Sequence, residues 1–261
     1  MNAVKEVFDR HFRRYGARRI KAELEDQGVS MGRRQIRRWM REGGLEAIQP
    51  KSFVPKTTNS RHGQGRSPNL FLERFDNQVP KAPNEVWVGD ITYIPLKGGA
   101  WCYLATWTDL FSRMIVGEHL AEHMDASLVI NALQKSFIRR GSPKGVIVHT
   151  DGGGQYVDAE FRKLIADNGC FQSMTRRENH YDNAFAESLF SRLKAELMNG
   201  GLFENAAEAD VACFEYIHVC HNRVRRHSGL GNMSPEQFEK KAETRQTQHD
   251  KPRATPPSGD N

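Results

Sequence analysis

Three acidic residues are placed along the chain in a way that could bind metal ions. Asp90 lies inside the strand-like run EVWVGDITYIPL, and Asp151 ends the strand-like run VIVHT and is followed by three glycines. Glu187 lies in the run DNAFAESLFSRLKAEL, whose apolar residues recur at helical spacing. Singly, each acid has an ordinary explanation, as a hydrogen-bonded strand acid, a turn residue or the partner of Lys194 in a surface ion pair. Together they predict one acidic site.

Convergence of the three acids would require counter-charges. Two like charges about 4 Å apart repel by on the order of 4 kcal/mol at an effective dielectric constant of 20, and three such pairs approach the stability of a domain. Carboxylate oxygens without clustered His or Cys select a hard divalent ion, so we expect Mg²⁺ or Mn²⁺. Two ions held by shared carboxylates would activate an attacking hydroxyl and neutralise the leaving oxygen of a phosphodiester. The glycines after Asp151 would leave room for the DNA backbone.

The elements that must position these acids follow an α/β pattern. Three runs rich in β-branched and aromatic residues predict adjoining antiparallel strands, with Gly98 and Gly99 as the turn between the first two. The apolar run GVIVHT predicts a short central strand with a helix on either side in the sequence. A short strand around Phe171, a long helix over residues 183–198 and a helix over 205–222 complete a mixed sheet with flanking helices.

The N-terminal residues predict a helix-turn-helix segment. The runs ARRIKAELEDQG and SMGRRQIRRWMREGG both have helical periodicity, end in glycine and are separated by a short turn. Helical spacing puts the arginines of the second run on one face and its apolar residues on the other. We interpret this basic face as DNA-binding, and the alternative is a charged helix that faces only water. The arginines are Arg33, Arg34, Arg37, Arg38 and Arg41.

The positive charge is concentrated at the N-terminal end. The chain carries a formal net charge of +6, yet residues 1–68 hold 16 Lys and Arg against 7 Asp and Glu. This distribution predicts that the front section binds a polyanion, with nucleic acid preferred, and a solvated surface is the alternative. We divide the chain into a helix-turn-helix segment (1–47), a basic linker (48–82) containing a short helix NLFLERF, a catalytic core (83–243) and a disordered polar tail (244–261).

Composition excludes several other classes of protein. An apolar run of 18 residues and a signal-peptide pattern are both absent from the sequence, so we expect a cytoplasmic protein that is not bound to a membrane. The four cysteines form no Cys-x-x-Cys pair, which argues against a disulfide framework or a zinc ribbon. A zinc site from His218, Cys220, His221 and His227 with Cys213 nearby has little support, because ADVACFEYIHVCHN has the pattern of an amphipathic helix.

At these residues the sequence resembles the integrase-core transposases of the insertion sequence three family, relatives of retroviral integrase with a ribonuclease-H-like fold. The matching runs are WVGDITYI, VIVHTDGGGQY, DNAFAESLFSRLKAEL and HNRVRRHSGLGNMSPEQF, and 35 residues separate Asp151 from Glu187. The likeness covers about residues 83–240, and YGARRIKAEL with RRQIRRWMREGGL resembles the family's helix-turn-helix segment. The chain departs from the family pattern at Gly153 and at His221, where the family usually has tyrosine.

The resemblance implies an Asp-Asp-Glu transposase that acts at the ends of an insertion sequence. Asp90, Asp151 and Glu187 would bind two Mg²⁺ or Mn²⁺ ions. Water would first free a 3′-hydroxyl, which would then attack a second phosphodiester without a covalent enzyme intermediate. Lys194 would contact DNA near the scissile phosphate, and Asn183 would support the site by a hydrogen bond. The expected partners are duplex DNA, both element ends and target, and further copies of the chain assembled on it.

Two rival functions follow from the same residues. Active enzymes of this type are commonly longer fusions, so we expect an upstream-frame DNA-binding partner or fusion. The alternative is a decayed or partial frame that works as a non-catalytic DNA-binding repressor or assembly partner, against which the three retained acids argue. The second rival is a ribonuclease-H-type nuclease that cleaves RNA–DNA hybrids, against which the basic helix-turn-helix argues.

Overall fold

The computed structural model describes residues 1–50, 66–76, 78–175 and 184–249, without the side chains of residues 184–187, 246, 248 and 249. The strands are β1 (Val86–Pro95), β2 (Trp101–Asp109), β3 (Ile115–Ala121), β4 (Ile147–Thr150) and β5 (Phe171–Met174). The helices are α1 (Asn2–Arg10), α2 (Ala17–Asp26), α3 (Arg33–Glu42), α4 (Leu70–Phe75), α5 (Ala126–Arg140), α6 (Ala159–Asp167), α7 (Ala184–Leu197), α8 (Ala206–Glu215) and α9 (Pro235–His249).

The five strands form one mixed sheet in the order β3-β2-β1-β4-β5. β1, β2 and β3 are antiparallel neighbours, whereas β4 pairs in parallel with β1 and with β5. The predicted antiparallel strands and central strand are therefore confirmed. Gly98 and Gly99 both have positive φ in the turn between β1 and β2, which explains why glycine is favoured there.

Helices cover both faces of the sheet. Trp87 and Trp107 belong to a core shared with α5 and α6, whereas Ile94 and Leu104 belong to a core shared with α7 and α8. Because side chains alternate along a strand, odd-numbered residues of β1 face α5, and even-numbered residues, including Asp90, face the α7 side. The alternation therefore assigns the acid of β1 to the face covered by the helix that carries Glu187.

A π-helical segment, Tyr216–Val224, follows α8 and is hydrogen-bonded to strand β3 of the sheet. The Asn222 side chain accepts a hydrogen bond from the Ile115 N–H (3.0 Å) and donates one to the Ile115 carbonyl (2.9 Å). His221 is buried and its Nε2 lies 3.0 Å from the Arg113 carbonyl oxygen. The single helix expected over residues 205–222 is therefore wrong in its second half, where these contacts with β3 favour the wider π turn.

Helices α1, α2 and α3 pack around their own apolar core and dock on the catalytic core. The Tyr15 hydroxyl donates to the Val224 carbonyl (3.1 Å) and accepts from the Arg226 N–H (3.0 Å). The Arg226 guanidinium reaches back to Glu23 at 2.8 Å and to Asp26 at 2.6 Å. The N-terminal segment is thus held against the residues that follow the π-helical segment. Its core consists of Val4, Val7, Phe8, Tyr15, Ile20, Leu24, Ile36 and Met40.

Parts of the expected linker and tail belong to the folded structure. Phe71 on α4 is buried, and its ring lies 5.3 Å from that of His149 on β4, so residues within the segment interpreted as a linker pack on the core. The prediction of a disordered tail is wrong for residues 244–249, because α9 continues to His249. The Thr244 hydroxyl bonds the Lys240 carbonyl within this helix (2.9 Å). The predicted tail from residue 250 and the linker over 51–65 lie outside the described residues.

The contact between α5 and β3 requires glycine at position 117. A Cβ atom built on Gly117 would overlap the Ser136 hydroxyl and the Ala132 carbonyl oxygen. The Ala132 carbonyl is part of the backbone of α5 and cannot move independently, so the whole helix would have to shift away from the sheet. We expect Gly117→Ala to lower the free energy of unfolding by about 1–3 kcal/mol in urea denaturation. Gly200→Ala is the control, since a Cβ there meets nothing within 4 Å; equal stability of the two variants would contradict this packing.

Buried His221 predicts a loss of stability in acid. Burial lowers the pKa of His221 from 6.5 to about 4, although the bond to the Arg113 carbonyl opposes this. Below about pH 6.5 the unfolded chain therefore binds a proton at His221 that the folded chain does not bind. The contribution of His221 to the free energy of unfolding is present above that pH and is lost as the pH falls toward 4. Between about pH 7.5 and pH 5 this residue should account for a loss of about 2 kcal/mol.

The measurement is urea denaturation across that pH range. In His221→Gln the loss should shrink by this amount even where the variant is less stable at every pH. Exposed His123 serves as the matched control, because His123→Gln should keep the wild-type pH dependence. The same pH dependence in His221→Gln and in the wild type would show that His221 is not the titrating group.

Candidate active site

The parallel register of β1 and β4 puts Asp90 and Asp151 at the same level of the sheet. Val88 pairs with His149, and two further residues along each strand reach the two acids. Both are half-buried, and each carboxylate accepts a backbone N–H. Asp90 accepts from Ile91 (2.8 Å), and Asp151 accepts from Gly153 (2.9 Å). Local backbone bonds therefore orient both carboxylates.

The pKa of a buried tyrosine is affected by the charges of both acids. Tyr156 follows the glycines and is 2% exposed. Burial raises the pKa of Tyr156 well above its ordinary value, and the negative charges of Asp151 and Asp90 raise it further. The Tyr156 hydroxyl therefore lies within electrostatic reach of both carboxylates, which the strand register puts at the same level of the sheet. The sequence did not single out Tyr156, although its position two residues after the last glycine could have suggested it.

Helix α7 brings a lysine to the same acids. Burial lowers the pKa of the Lys194 amine, and the negative charge of Asp90 partly opposes that effect. Lys194 therefore lies within electrostatic reach of Asp90, as expected for a helix that covers this face of the sheet. Glu187 lies in the same helix, seven residues and about two turns earlier, but its side chain is outside the described part of the structure. Asn183 lies outside the described residues altogether.

An arginine that sequence analysis missed occupies the glycine loop. A Cβ atom at Gly152 would overlap the guanidinium of Arg66, and one at Gly153 would lie 3.1 Å from the Asp151 carboxylate. Gly154 meets nothing within 4 Å. The predicted free space therefore exists at Gly154, whereas at Gly152 the chain's own Arg66 fills it. No periodicity or spacing distinguishes Arg66 from the other basic residues of the segment between α3 and α4.

The five arginines predicted to bind DNA are all exposed on α3. Ile36 and Met40 on the opposite side of the helix are buried in the N-terminal core. Arg38 lies 3.7 Å from the Glu42 carboxylate in an exposed pair, which contributes little to stability. The face formed by Arg33, Arg34, Arg37, Arg38 and Arg41 is therefore solvent-accessible.

The residues of the alternative zinc site are engaged elsewhere. The His218 Nε2 lies 2.9 Å from the Glu118 carboxylate, and the Cys220 sulfur accepts a hydrogen bond from Arg14 (3.1 Å). Among the residues that the structure describes, no three His, Cys, Asp or Glu side chains form a metal-binding group. The Asp90 and Asp151 pair offers only carboxylate oxygens, a donor set that fits Mg²⁺ or Mn²⁺ and does not favour zinc. No described helix is long and apolar enough to cross a membrane.

The contact between Arg66 and Gly152 can be tested by a double-mutant cycle. Gly152→Ala should displace the Arg66 guanidinium, which as the end of a flexible side chain can move at modest cost. We expect the free energy of unfolding to fall by about 1 kcal/mol in Gly152→Ala and by less when Arg66→Ala is also present, a coupling of about 0.5–1 kcal/mol. Gly154→Ala is the control and should show no coupling to Arg66→Ala. Additive effects of Gly152→Ala and Arg66→Ala would contradict the contact.

Comparisons with known proteins agree with this architecture. Family models described as integrase core domain match residues 80–180 and 187–242, and one described as HTH-like domain matches residues 1–53. Among solved structures, the fold is similar to that of a chain in the simian T-cell lymphotropic virus intasome in complex with PP2A regulatory subunit B56 gamma. The TM-score is 0.52, the sequence identity is 18%, and the match covers 92% of this chain and 74% of that chain. This likeness shows the ribonuclease-H-like fold of retroviral integrases.

Curated relatives extend over nearly the whole chain. Transposase InsF for insertion sequence IS3A of Escherichia coli (strain K12) is 39% identical over 240 residues, which cover 92% of this chain and 82% of that protein. The transposase for insertion sequence element IS904 of Lactococcus lactis subsp. lactis (strain IL1403) is 39% identical over 239 residues, covering 91% and 92%. The chain therefore belongs to the IS3-family transposases and acts in DNA transposition.

Proposed function

We propose that this transposase is a metal-dependent polynucleotidyl transferase that cleaves phosphodiester bonds at the ends of its insertion sequence and transfers the freed 3′-hydroxyl ends to target DNA. The observation that carries the proposal is the parallel register of β1 and β4, which puts Asp90 and Asp151 at the same level of the sheet. A carboxylate inside β1 and one at the end of the neighbouring strand β4, both oriented by backbone N–H groups, can hold divalent cations in a fixed position. Glu187 on the covering helix α7 would supply the third carboxylate.

The chain's own residues divide the chemistry between them. Asp90, Asp151 and Glu187 would hold two Mg²⁺ or Mn²⁺ ions, which when bound lower the pKa of the attacking water or 3′-hydroxyl and neutralise the leaving 3′-oxygen. The Lys194 amine, near Asp90, would contact a backbone phosphate and place it beside the acids. Asn183 would support this arrangement through a hydrogen bond. Water attacks first, and the 3′-hydroxyl it frees attacks the target.

The arginine face of α3 would bind the duplex. An exposed helix with five arginines on one side, in a segment that matches the HTH-like domain, has the form and charge needed to enter the major groove. Phosphate contacts by these arginines would supply most of the affinity. Because an insertion sequence has two ends, we also propose that two or more copies of the chain assemble on DNA, with an upstream-frame DNA-binding segment as a further partner or fusion.

Charge-neutral substitutions of the acids test this function. In the presence of Mg²⁺ or Mn²⁺, Asp151→Asn, Asp90→Asn and Glu187→Gln should each reduce cleavage of labelled duplexes carrying the element's terminal repeats by on the order of 1,000-fold or more. The reason is that each substitution removes a negative metal ligand while it preserves side-chain size. Duplex binding should remain, because α3 is unchanged.

The matched control is Asp167→Asn, since Asp167 is an exposed acid on α6 that pairs with Lys163. It should cleave as the wild type does. In thermal denaturation, Mg²⁺ or Mn²⁺ should raise the midpoint of the wild type and of Asp167→Asn but not that of Asp151→Asn. Full cleavage by Asp151→Asn would disprove the proposed mechanism. Binding without cleavage in the wild type would favour the non-catalytic alternative, and preferred cleavage of an RNA–DNA hybrid would favour the ribonuclease.

A further inference from the structure

A groove with a volume of about 450 Å³ separates the N-terminal segment from the catalytic core. Its lining combines residues from the consecutive helices α2 and α3 with a residue from α7, which is distant in the sequence. Five of these residues are arginines, two from α2, two from α3 and one from α7. They are Arg18, Arg19, Arg33, Arg37 and Arg192, which we call the groove arginines.

The groove arginines concentrate positive charge in one place. Among the residues that the structure describes, none of the five forms an ion pair with a carboxylate, whereas neighbouring Arg225 and Arg226 both do. Arg19 is held by carbonyl oxygens instead, donating from Nε to Arg226 at 2.8 Å. Burial lowers the pKa of Arg19 to about 10, and the charges of Arg225 and Arg192 contribute to the decrease. Five like charges around one groove favour an anionic occupant.

The N-terminus of α2 adds to the positive electrostatic potential of the groove. Gly16, the N-cap residue of the ten-residue helix α2, lines the groove and offers no side-chain cap. The backbone N–H groups of the first turn and the helix dipole therefore complement the arginines. Phosphate oxygens can accept hydrogen bonds from both the N–H groups and the guanidinium groups.

The groove joins the predicted DNA-binding face of α3 to α7, the helix that carries Lys194. Arg33 and Arg37 belong to the exposed face of α3. Arg192 on α7 is two residues before Lys194, which lies within electrostatic reach of Asp90. Residues two apart on a helix point to different sides, so α7 presents Arg192 to the groove and Lys194 to the region near Asp90. The bonds of Tyr15 and Arg226 fix the N-terminal segment relative to the core, so the groove between them has a defined geometry.

We infer that the groove binds backbone phosphates of the duplex held by α3 and directs that duplex toward the acids. The inference rests on the proposed function and extends it by assigning DNA contacts to Arg18, Arg19 and Arg192, none of which the helix-turn-helix pattern includes. Arg192 acts from the catalytic core, so DNA binding and positioning for cleavage are shared between the two parts of the chain.

The test measures duplex binding by fluorescence anisotropy at several salt concentrations. The probe is a fluorescein-labelled duplex with the terminal repeat. Arg18→Ala and Arg192→Ala should each raise the Kd about 3- to 10-fold and lower the slope of log Kd against log salt by about one, because each removes one phosphate contact. The double variant should lower the slope by about two. Arg19 is left unchanged because its hydrogen bonds support the fold.

Two control variants separate this inference from the proposed function. Arg10→Ala removes an arginine that pairs with Glu6 on α1 and should bind as the wild type does. Arg34→Ala removes an arginine of the α3 face that does not line the groove and should weaken binding. If Arg34→Ala binds more weakly but Arg18→Ala and Arg192→Ala bind normally, the inference about the groove is wrong and DNA binding by α3 is unaffected. Normal binding by all three would overturn DNA binding by α3 as well.

Cleavage provides a second readout. At saturating duplex, Arg10→Ala should cleave at the wild-type rate, since Arg10 lies outside both the α3 face and the groove. Arg192→Ala should still cleave more slowly, because bound DNA would be misdirected relative to the acids. Equal rates for the two variants at saturation would restrict the groove to affinity and overturn its directing role. Thermal unfolding midpoints equal to that of the wild type would show that both variants are folded.

Discussion

The architecture depends on a buried ion pair between Glu196 on α7 and Arg225. Their side chains are 1% and 2% exposed and approach to 2.5 Å, and the Tyr216 hydroxyl donates to the same carboxylate at 2.9 Å. Burial alone would raise the pKa of Glu196, but the hydrogen bonds and charge of Arg225 lower it overall. Loss of one partner would leave an uncompensated buried charge, which typically costs about 3–5 kcal/mol. The pair fixes the helix that carries Lys194 and Glu187.

The residues around Arg225 join three parts of the molecule. Asn222 bonds both backbone groups of Ile115 on β3, Arg225 fixes α7, and Arg226 holds α2 through Glu23 and Asp26. A short segment therefore sets the position of the DNA-binding helices relative to the acids. This explains why HNRVRRHSGL can be a recognisable motif without containing a catalytic residue. Its polar side chains determine how the surrounding elements are positioned, and under the proposed mechanism the carboxylates would carry out the chemistry.

Sequence analysis predicted features that depend on local patterns. The turn at Gly98 and Gly99, the acid at the end of β4 and the arginine face of α3 all follow from periodicity and from residues that favour particular backbone angles. The groove arginines and the place of Arg66 could not be predicted, because they arise where distant segments dock and leave no spacing in the sequence. The π-helical turn likewise depends on the bond between Asn222 and β3. Residues beyond Thr244 were too polar to suggest the last turns of α9.

The glycine loop shows how one short motif can have three separate physical causes. Gly152 is small because the Arg66 guanidinium lies against it, and Gly153 is positioned by its own N–H, which holds the Asp151 carboxylate. Only Gly154 opens to unoccupied space within this loop. Under the proposed mechanism, a phosphodiester would therefore approach at Gly154, beside a carboxylate already oriented by Gly153 and close to the positive charge of Arg66. The glycines of this loop would therefore have two roles, since they let Gly153 and Arg66 approach Asp151 and they leave space for DNA at Gly154.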